Sequence, residues 1–150
     1  MIRIRWETDY GLILLGYLSQ DPGIRVRTAR EAADWAGLPL PIVSKVLKTL
    51  AREGILVSHR GVRGGYTLAH PADQITLFEV IQALEGPIGI TECTSHPGAC
   101  DKETGCPVRI NWVRINQAFR ESLDKILLSE MFTPPSPAPT LLRIEGGGRR

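Results

Sequence analysis

The chain has 150 residues, 43% hydrophobic and 23% charged, the size and composition of one globular domain or of a small domain with an appended dimerisation element. No apolar run approaches the roughly 20 residues of a membrane-spanning helix, and Met1-Ile-Arg-Ile-Arg5 is followed by Glu7 and Asp9 rather than by the apolar core of a signal peptide, so a reducing cytoplasm is expected and a membrane is not. The net charge of +2 is uneven: residues 1–70 hold ten Lys/Arg against six Asp/Glu and residues 71–150 eight against ten, so an anionic partner is expected on the first half.

Residues 6–19 place Tyr10, Leu12, Ile13, Leu14, Leu15, Tyr17 and Leu18 on one segment bounded by Asp21-Pro22-Gly23. This predicts a helix buried on most faces, because Pro-Gly ends it and no strand alternation is present. Asp9 near its start either complements the helix dipole or serves as a ligand. Thr28-Ala-Arg-Glu31 is a capping-box pattern and opens a short alanine-rich helix ended by Gly37. Pro41 then suits the first turn of a helix in which Ile42, Val43, Val46, Leu47 and Leu50 recur at helical spacing, leaving Ser44, Lys45, Lys48, Thr49 and Arg52 outside.

Two helices joined by a tight glycine-containing turn, the second displaying short polar and basic side chains, read as a helix-turn-helix. An amphipathic helix with a merely solvated basic face is the alternative. The next segment argues against it: residues 55–59 and 66–69 are β-prone runs separated by Arg60-Gly-Val-Arg-Gly-Gly65, which predicts a hairpin. A hairpin directly after the second helix is the wing of a winged helix. Arg60 and Arg63 at its tip suit a narrow, negatively charged minor groove.

Thr76-Leu-Phe-Glu79 predicts a further capped helix, stopping at Glu85-Gly86-Pro87. Cys93, Cys100 and Cys106, the only cysteines of the chain, follow with Cys-x6-Cys-x5-Cys spacing. Free cysteines usually behave as small buried hydrophobes, whereas these lie among polar residues. Thiolates are soft ligands for zinc, copper(I) or iron–sulfur clusters. The spacing is wider than a structural zinc knuckle and suits a bulkier iron–sulfur cluster, with zinc second. A fourth ligand is open among Glu92, His96, Asp101, Glu103 or an acid elsewhere such as Asp9. Beyond Pro107 a long helix is expected to about Met131, with Trp112, Ile115, Phe119, Ser122 or Leu123, and Ile126 near heptad spacing. An interface between two copies is expected there, with intramolecular packing as the alternative. The Pro- and Gly-rich residues after Phe132 read as a disordered tail.

Together these segments resemble a known family. The order of a Thr8-Asp9-Tyr10 helix, a helix-turn-helix, Arg60-Gly-x-x-Gly-Gly-Tyr66, Ile81-x-Ala-Leu-Glu-Gly86, three spaced cysteines and a long helix is similar to the bacterial winged-helix regulators that include the iron–sulfur regulator IscR and the nitric-oxide-sensing repressor NsrR. Leu84-Glu-Gly-Pro87, Thr91-Glu-Cys93 and Trp112-x-x-Ile-Asn116 are most similar to the regulator of the SUF cluster-assembly operon. The resemblance spans residues 1 to about 131 and implies a homodimer on a palindromic operator in double-stranded DNA, with one iron–sulfur cluster per subunit held by Cys93, Cys100 and Cys106. The histidine that IscR carries three residues after the last cysteine is replaced by Arg109, and the first cysteine gap is one residue longer. NsrR completes its cluster with an acid of the first helix from the other subunit, a position that Asp9 matches. The expected cluster is 4Fe–4S ahead of 2Fe–2S.

The expected architecture is mainly α with a small β-hairpin: a winged helix-turn-helix DNA-binding domain (1–86), a cysteine-rich cluster loop (87–107), a dimerisation helix (108–131) and a disordered tail (132–150). Ser44 and Lys45 are expected at base edges, Thr28 and Lys48 at phosphates, and Arg60 and Arg63 in the minor groove. The expected function is a repressor whose operator affinity follows the state of its cluster. Response to nitric oxide or oxidants, or a structural zinc without sensing, are the alternatives. A small redox enzyme is not expected: no nucleophile constellation, telling carboxylate pair or phosphate-cradling loop is present, and no small-molecule substrate is implied.

Overall fold

The computed structural model describes residues 4–20 and 25–133. Its first helix, α1, covers Trp6–Leu18 and crosses its neighbours closely. A Cβ added at Gly11 would run into the Leu84 side chain, and one at Gly16 would lie 2.6 Å from the Phe132 ring. The Asp21-Pro22-Gly23 stop expected after α1 lies outside the described residues.

Helix α2, Ala29–Ala36, starts at a complete capping box. Thr28 Oγ1 accepts from the Glu31 amide at 3.1 Å, and the Glu31 carboxylate accepts from the Thr28 amide at 2.7 Å, so two amides that a first turn leaves unpaired are satisfied. Gly37 ends it with φ 65°, a left-handed conformation that costs glycine little. Helix α3, Leu40–Arg52, follows with Pro41 in its first turn. Strands β1, Leu56–His59, and β2, Gly65–Leu68, pair antiparallel with Leu56 opposite Leu68 and His59 opposite Gly65. Arg27 extends this hairpin by an isolated bridge to Tyr66.

A second capping box, Thr76 with Glu79, opens α4, Leu77–Glu85. The cysteine segment is partly regular: α5, Glu92–Ser95, and a 3-10 turn, Glu103–Gly105, interrupt it. Helix α6 then covers Arg109–Asp124. The core lies between α1, α2, α3 and α4, with Leu14, Leu15, Ala32, Val43, Leu47, Leu50, Val80 and Leu128 all fully buried.

Two expectations about the C-terminal part need correction. The last long helix stops at Asp124 rather than near Met131, because the chain turns back to pair with the segment before α4. The Leu77 amide donates to the Ile126 carbonyl and the Leu128 amide to the Ile75 carbonyl, both at 2.8 Å, and Thr76 bridges Leu127. Burying Leu128 in the core outweighs continuing a helix whose next residues would face solvent. The disordered tail expected from residue 132 does not include Phe132, since a 3-10 turn, Leu128–Phe132, brings its ring over α1. The disorder expected of the tail falls otherwise on residues 134–150, outside the described residues.

Candidate functional site

Helices α2 and α3 meet at Gly37, and the Leu38 amide donates to the Ala33 carbonyl at 3.0 Å. Val43, Val46, Leu47 and Leu50 face the core, which leaves Pro41, Lys45, Lys48 and Arg52 as an exposed stripe with Ser44 half-buried beside it. Spacings of four, three and four residues set this stripe along one side of the helix. Lys45 is not alone there: its Nζ stands 3.4 Å from Glu7 Oε1 of α1.

Thr28, expected at a phosphate, has its hydroxyl engaged in the α2 cap, accepting from the Glu31 amide and lying 3.0 Å from the Glu31 carboxylate. The Thr28 amide, then its hydroxyl, hold the Glu31 carboxyl below the usual carboxylate range against a smaller opposing effect of burial, with help from the charges of Arg25 and Arg27.

At the wing tip Arg60 and Arg63 are exposed, as is Val62 between them. Gly61 has φ 100° and accepts from the Gly64 amide at 2.9 Å. A Cβ at Gly64 would stand 2.5 Å from the His59 carbonyl oxygen and 2.8 Å from that of Gly61, so the sharp turn that presents both arginines depends on the missing side chain.

Arg27 was legible only as part of a basic half. The structure uses it to join α1, α2 and the wing: its guanidinium lies 4.4 Å from the Tyr17 ring centroid and donates to the Tyr17 hydroxyl at 2.8 Å. Trp35 stacks on Tyr17 at 4.9 Å. No spacing rule signals this, because the three residues come from three separate segments.

The cysteine segment is anchored at both sides. The Ile90 amide donates to Asn116 Oδ1 of α6 at 3.1 Å, and Asn116 is one of the few buried polar side chains. Cys93 lies on α5 with its Sγ 3.2 Å from Thr91 Oγ1. Glu103 accepts from the Gly98 amide at 2.6 Å and from Arg109 Nη2 at 2.9 Å. The Gly98 amide, then Arg109, keep the Glu103 carboxyl below its ordinary range, against a minor effect of burial.

All three thiols are free and half-buried. As a donor set, three soft thiolates in one polar loop fit iron or zinc. Among the described residues no three His, Cys, Asp or Glu side chains stand close enough together to hold a metal ion. The three thiols are therefore present but not gathered, and Asp9 is exposed on α1.

The start of α1 touches both α3 and the end of α4. While Glu7 reaches Lys45, the Arg5 amide and Nε donate to Glu85 at 2.8 and 2.7 Å, and the buried Thr8 hydroxyl donates to the same carboxylate. Burial alone would raise the Glu85 carboxyl, but these hydrogen bonds and the Arg5 charge outweigh it and leave it lowered. Glu85 ends α4, two residues before Pro87 leads into the cysteine segment.

No helix among the described residues is long and apolar enough to cross a membrane. The chain is similar to CymR, the global cysteine regulator of B. subtilis, at 28% identity and TM-score 0.66, covering 87% of this chain and 96% of that one. CymR of Staphylococcus aureus matches at 26% identity and TM-score 0.61, over 88% of this chain and 99% of that one. The IscR of T. potens shares the fold, with 24% identity, TM-score 0.62 and coverage of 87% and 85%. Residues 4–134 match the Rrf2 family, described as iron-dependent transcriptional regulators. Over almost the whole of its described length, then, the chain belongs to the Rrf2 family, whose members regulate transcription and are not enzymes.

Proposed function

We propose that this regulator binds a palindromic operator as a homodimer and represses transcription according to the state of an iron–sulfur cluster held by Cys93, Cys100 and Cys106, with iron–sulfur assembly (SUF) genes as its targets. The observation that supports this reading is the presence of three half-buried thiols along one braced loop that adjoins an uncovered helix. On α6, Ile110 is 63% and Ile115 49% exposed, with Trp112 and Val113 also open. Apolar exposure grouped on one helix fits a surface that a second copy covers. In such a dimer Asp9 of one copy, exposed on α1, is the fourth ligand at the loop of the other.

On DNA, Ser44 and Lys45 read base edges, Lys48 and the α2 start at Thr28 meet phosphates, and Arg60 and Arg63 enter the minor groove. A bound cluster supplies iron that oxidants or nitric oxide can attack. Gathering the three thiols reorders the segment anchored to α6 through Asn116. A coupling of about 1–3 kcal/mol between loop and reading head would change operator affinity by roughly 5- to 150-fold.

The test is anaerobic purification with visible spectroscopy and iron and sulfide counting on wild type and Asp9→Ala. A brown protein with iron and sulfide in equal amounts is expected, with less of both in the variant; unchanged content in the variant removes Asp9 as a ligand. The resemblance to CymR, a cysteine regulator, at higher identity than to IscR favours a second reading, in which the thiols answer to cellular thiol status without a cluster. Colourless protein without iron, sulfide or zinc supports that reading, and colourless protein loaded with zinc supports a structural metal.

A further inference from the structure

One side chain fastens the cysteine segment on both sides of two of its thiols. Glu103 Oε2 accepts from the Gly98 amide at 2.6 Å, and Oε1 accepts from Arg109 Nη2 and Nε at 2.9 and 3.2 Å. Gly98 lies two residues before Cys100 and Arg109 three residues after Cys106. The Glu103 side chain is 14% exposed and that of Arg109 43%.

Between these points the chain is closed by short turns: the Glu103 amide donates to the Cys100 carbonyl at 3.0 Å and the Arg109 amide to the Cys106 carbonyl at 3.3 Å. Cys93 stands outside this span, on α5, beside Thr91. The loop thus has one thiol beside the cap of α5 and two within a span whose flanks one carboxylate joins.

We propose that Glu103 and Arg109 form a latch that sets the relative placement of Cys100 and Cys106, making Glu103 the positioning residue of the thiol loop rather than one of its ligands. The purpose of the latch rests on the cofactor reading above; its geometry does not. Opening it leaves α6 and the core in place, because Arg109 is the first residue of α6 and neither partner packs in the core.

The test measures alkylation of each cysteine by iodoacetamide in the full-length, reduced, metal-free protein, mapped by peptide mass spectrometry. Glu103→Ala is expected to speed Cys100 and Cys106 by about threefold or more through local opening, with Cys93 within about twofold of wild type. Glu103→Gln, which keeps an acceptor for Gly98 but loses the charge, falls between, and Arg109→Lys stays near wild type. Unchanged rates at Cys100 and Cys106 overturn the latch, and so does equal acceleration of all three thiols, which would report general unfolding. After reconstitution with iron and sulfide, loss of visible absorbance to a chelator is expected to be faster in Glu103→Ala. A wild type that takes up neither iron nor sulfide defeats the cofactor reading alone, since the alkylation pattern decides the latch independently.

Discussion

Glu7, in the first turn of α1, reaches Lys45 on the exposed stripe of α3 across 3.4 Å. Lys45 keeps 70% of its side chain open while Glu7 keeps 16%, so the pair adds little to stability; its effect falls on what Lys45 can do. If Lys45 meets DNA as proposed, a carboxylate beside it repels phosphate and competes for the ammonium. Glu7→Ala is expected to tighten operator binding roughly two- to tenfold. Lys45→Ala is expected to weaken it by about 1–3 kcal/mol with loss of base preference at one position. Fluorescence anisotropy with operator and scrambled duplexes checks both. Equal losses on the two duplexes would make Lys45 a phosphate contact instead.

The wing turn tolerates no side chain at Gly64. Gly64→Ala is expected to distort the tip and weaken DNA binding about as much as replacing Arg60 and Arg63 together, while the salt slope of log affinity falls by about 1 for each arginine charge withdrawn from the DNA. Titrations at several salt concentrations measure it.

Leu128 is fully buried in the core although it follows α6. Leu128→Ala is expected to cost about 2–5 kcal/mol, and a chain ending at Asp124 to lose cooperative unfolding altogether. Urea denaturation followed by far-UV circular dichroism distinguishes these from an unaffected protein.

Glu85 gives a pH signature. Its folded carboxyl lies below the ordinary value of 4.5, so its contribution is complete above that value and is lost as pH falls through the lowered folded one. Glu85→Gln is therefore expected to be less stable at neutral pH by about 1 kcal/mol, after allowing for the exposure of Arg5. The gap should close in acid below the ordinary carboxylate range. Denaturation midpoints between neutral pH and pH 3 test the convergence.

The elements of the reading head were legible because local chemistry fixes them. Thr28 with Glu31 and Thr76 with Glu79 announce helix starts by spacing alone, and Gly61 and Gly64 announce the wing. The cysteine trio was visible as a set, but the brace by Glu103 was not, since a carboxylate between two thiols reads equally as ligand or latch. The end of α6 is not legible, because apolar Ile126 and Leu127 suit a helix stripe and a β-bridge alike. Only the pairing with Ile75 and Leu77, contacts distant in sequence, decides between them. Arg27 over Tyr17 was hidden for the same reason.

The turn that returns the chain from α6 to the start of α4 also limits how the molecule can be dissected. A fragment cut at Gly86 would carry every DNA-facing side chain named above yet leave a hole where Leu128 belongs. Anyone grafting the winged helix-turn-helix onto another protein would have to keep α6 and the turn after it, so the two parts cannot be exchanged here as separate modules.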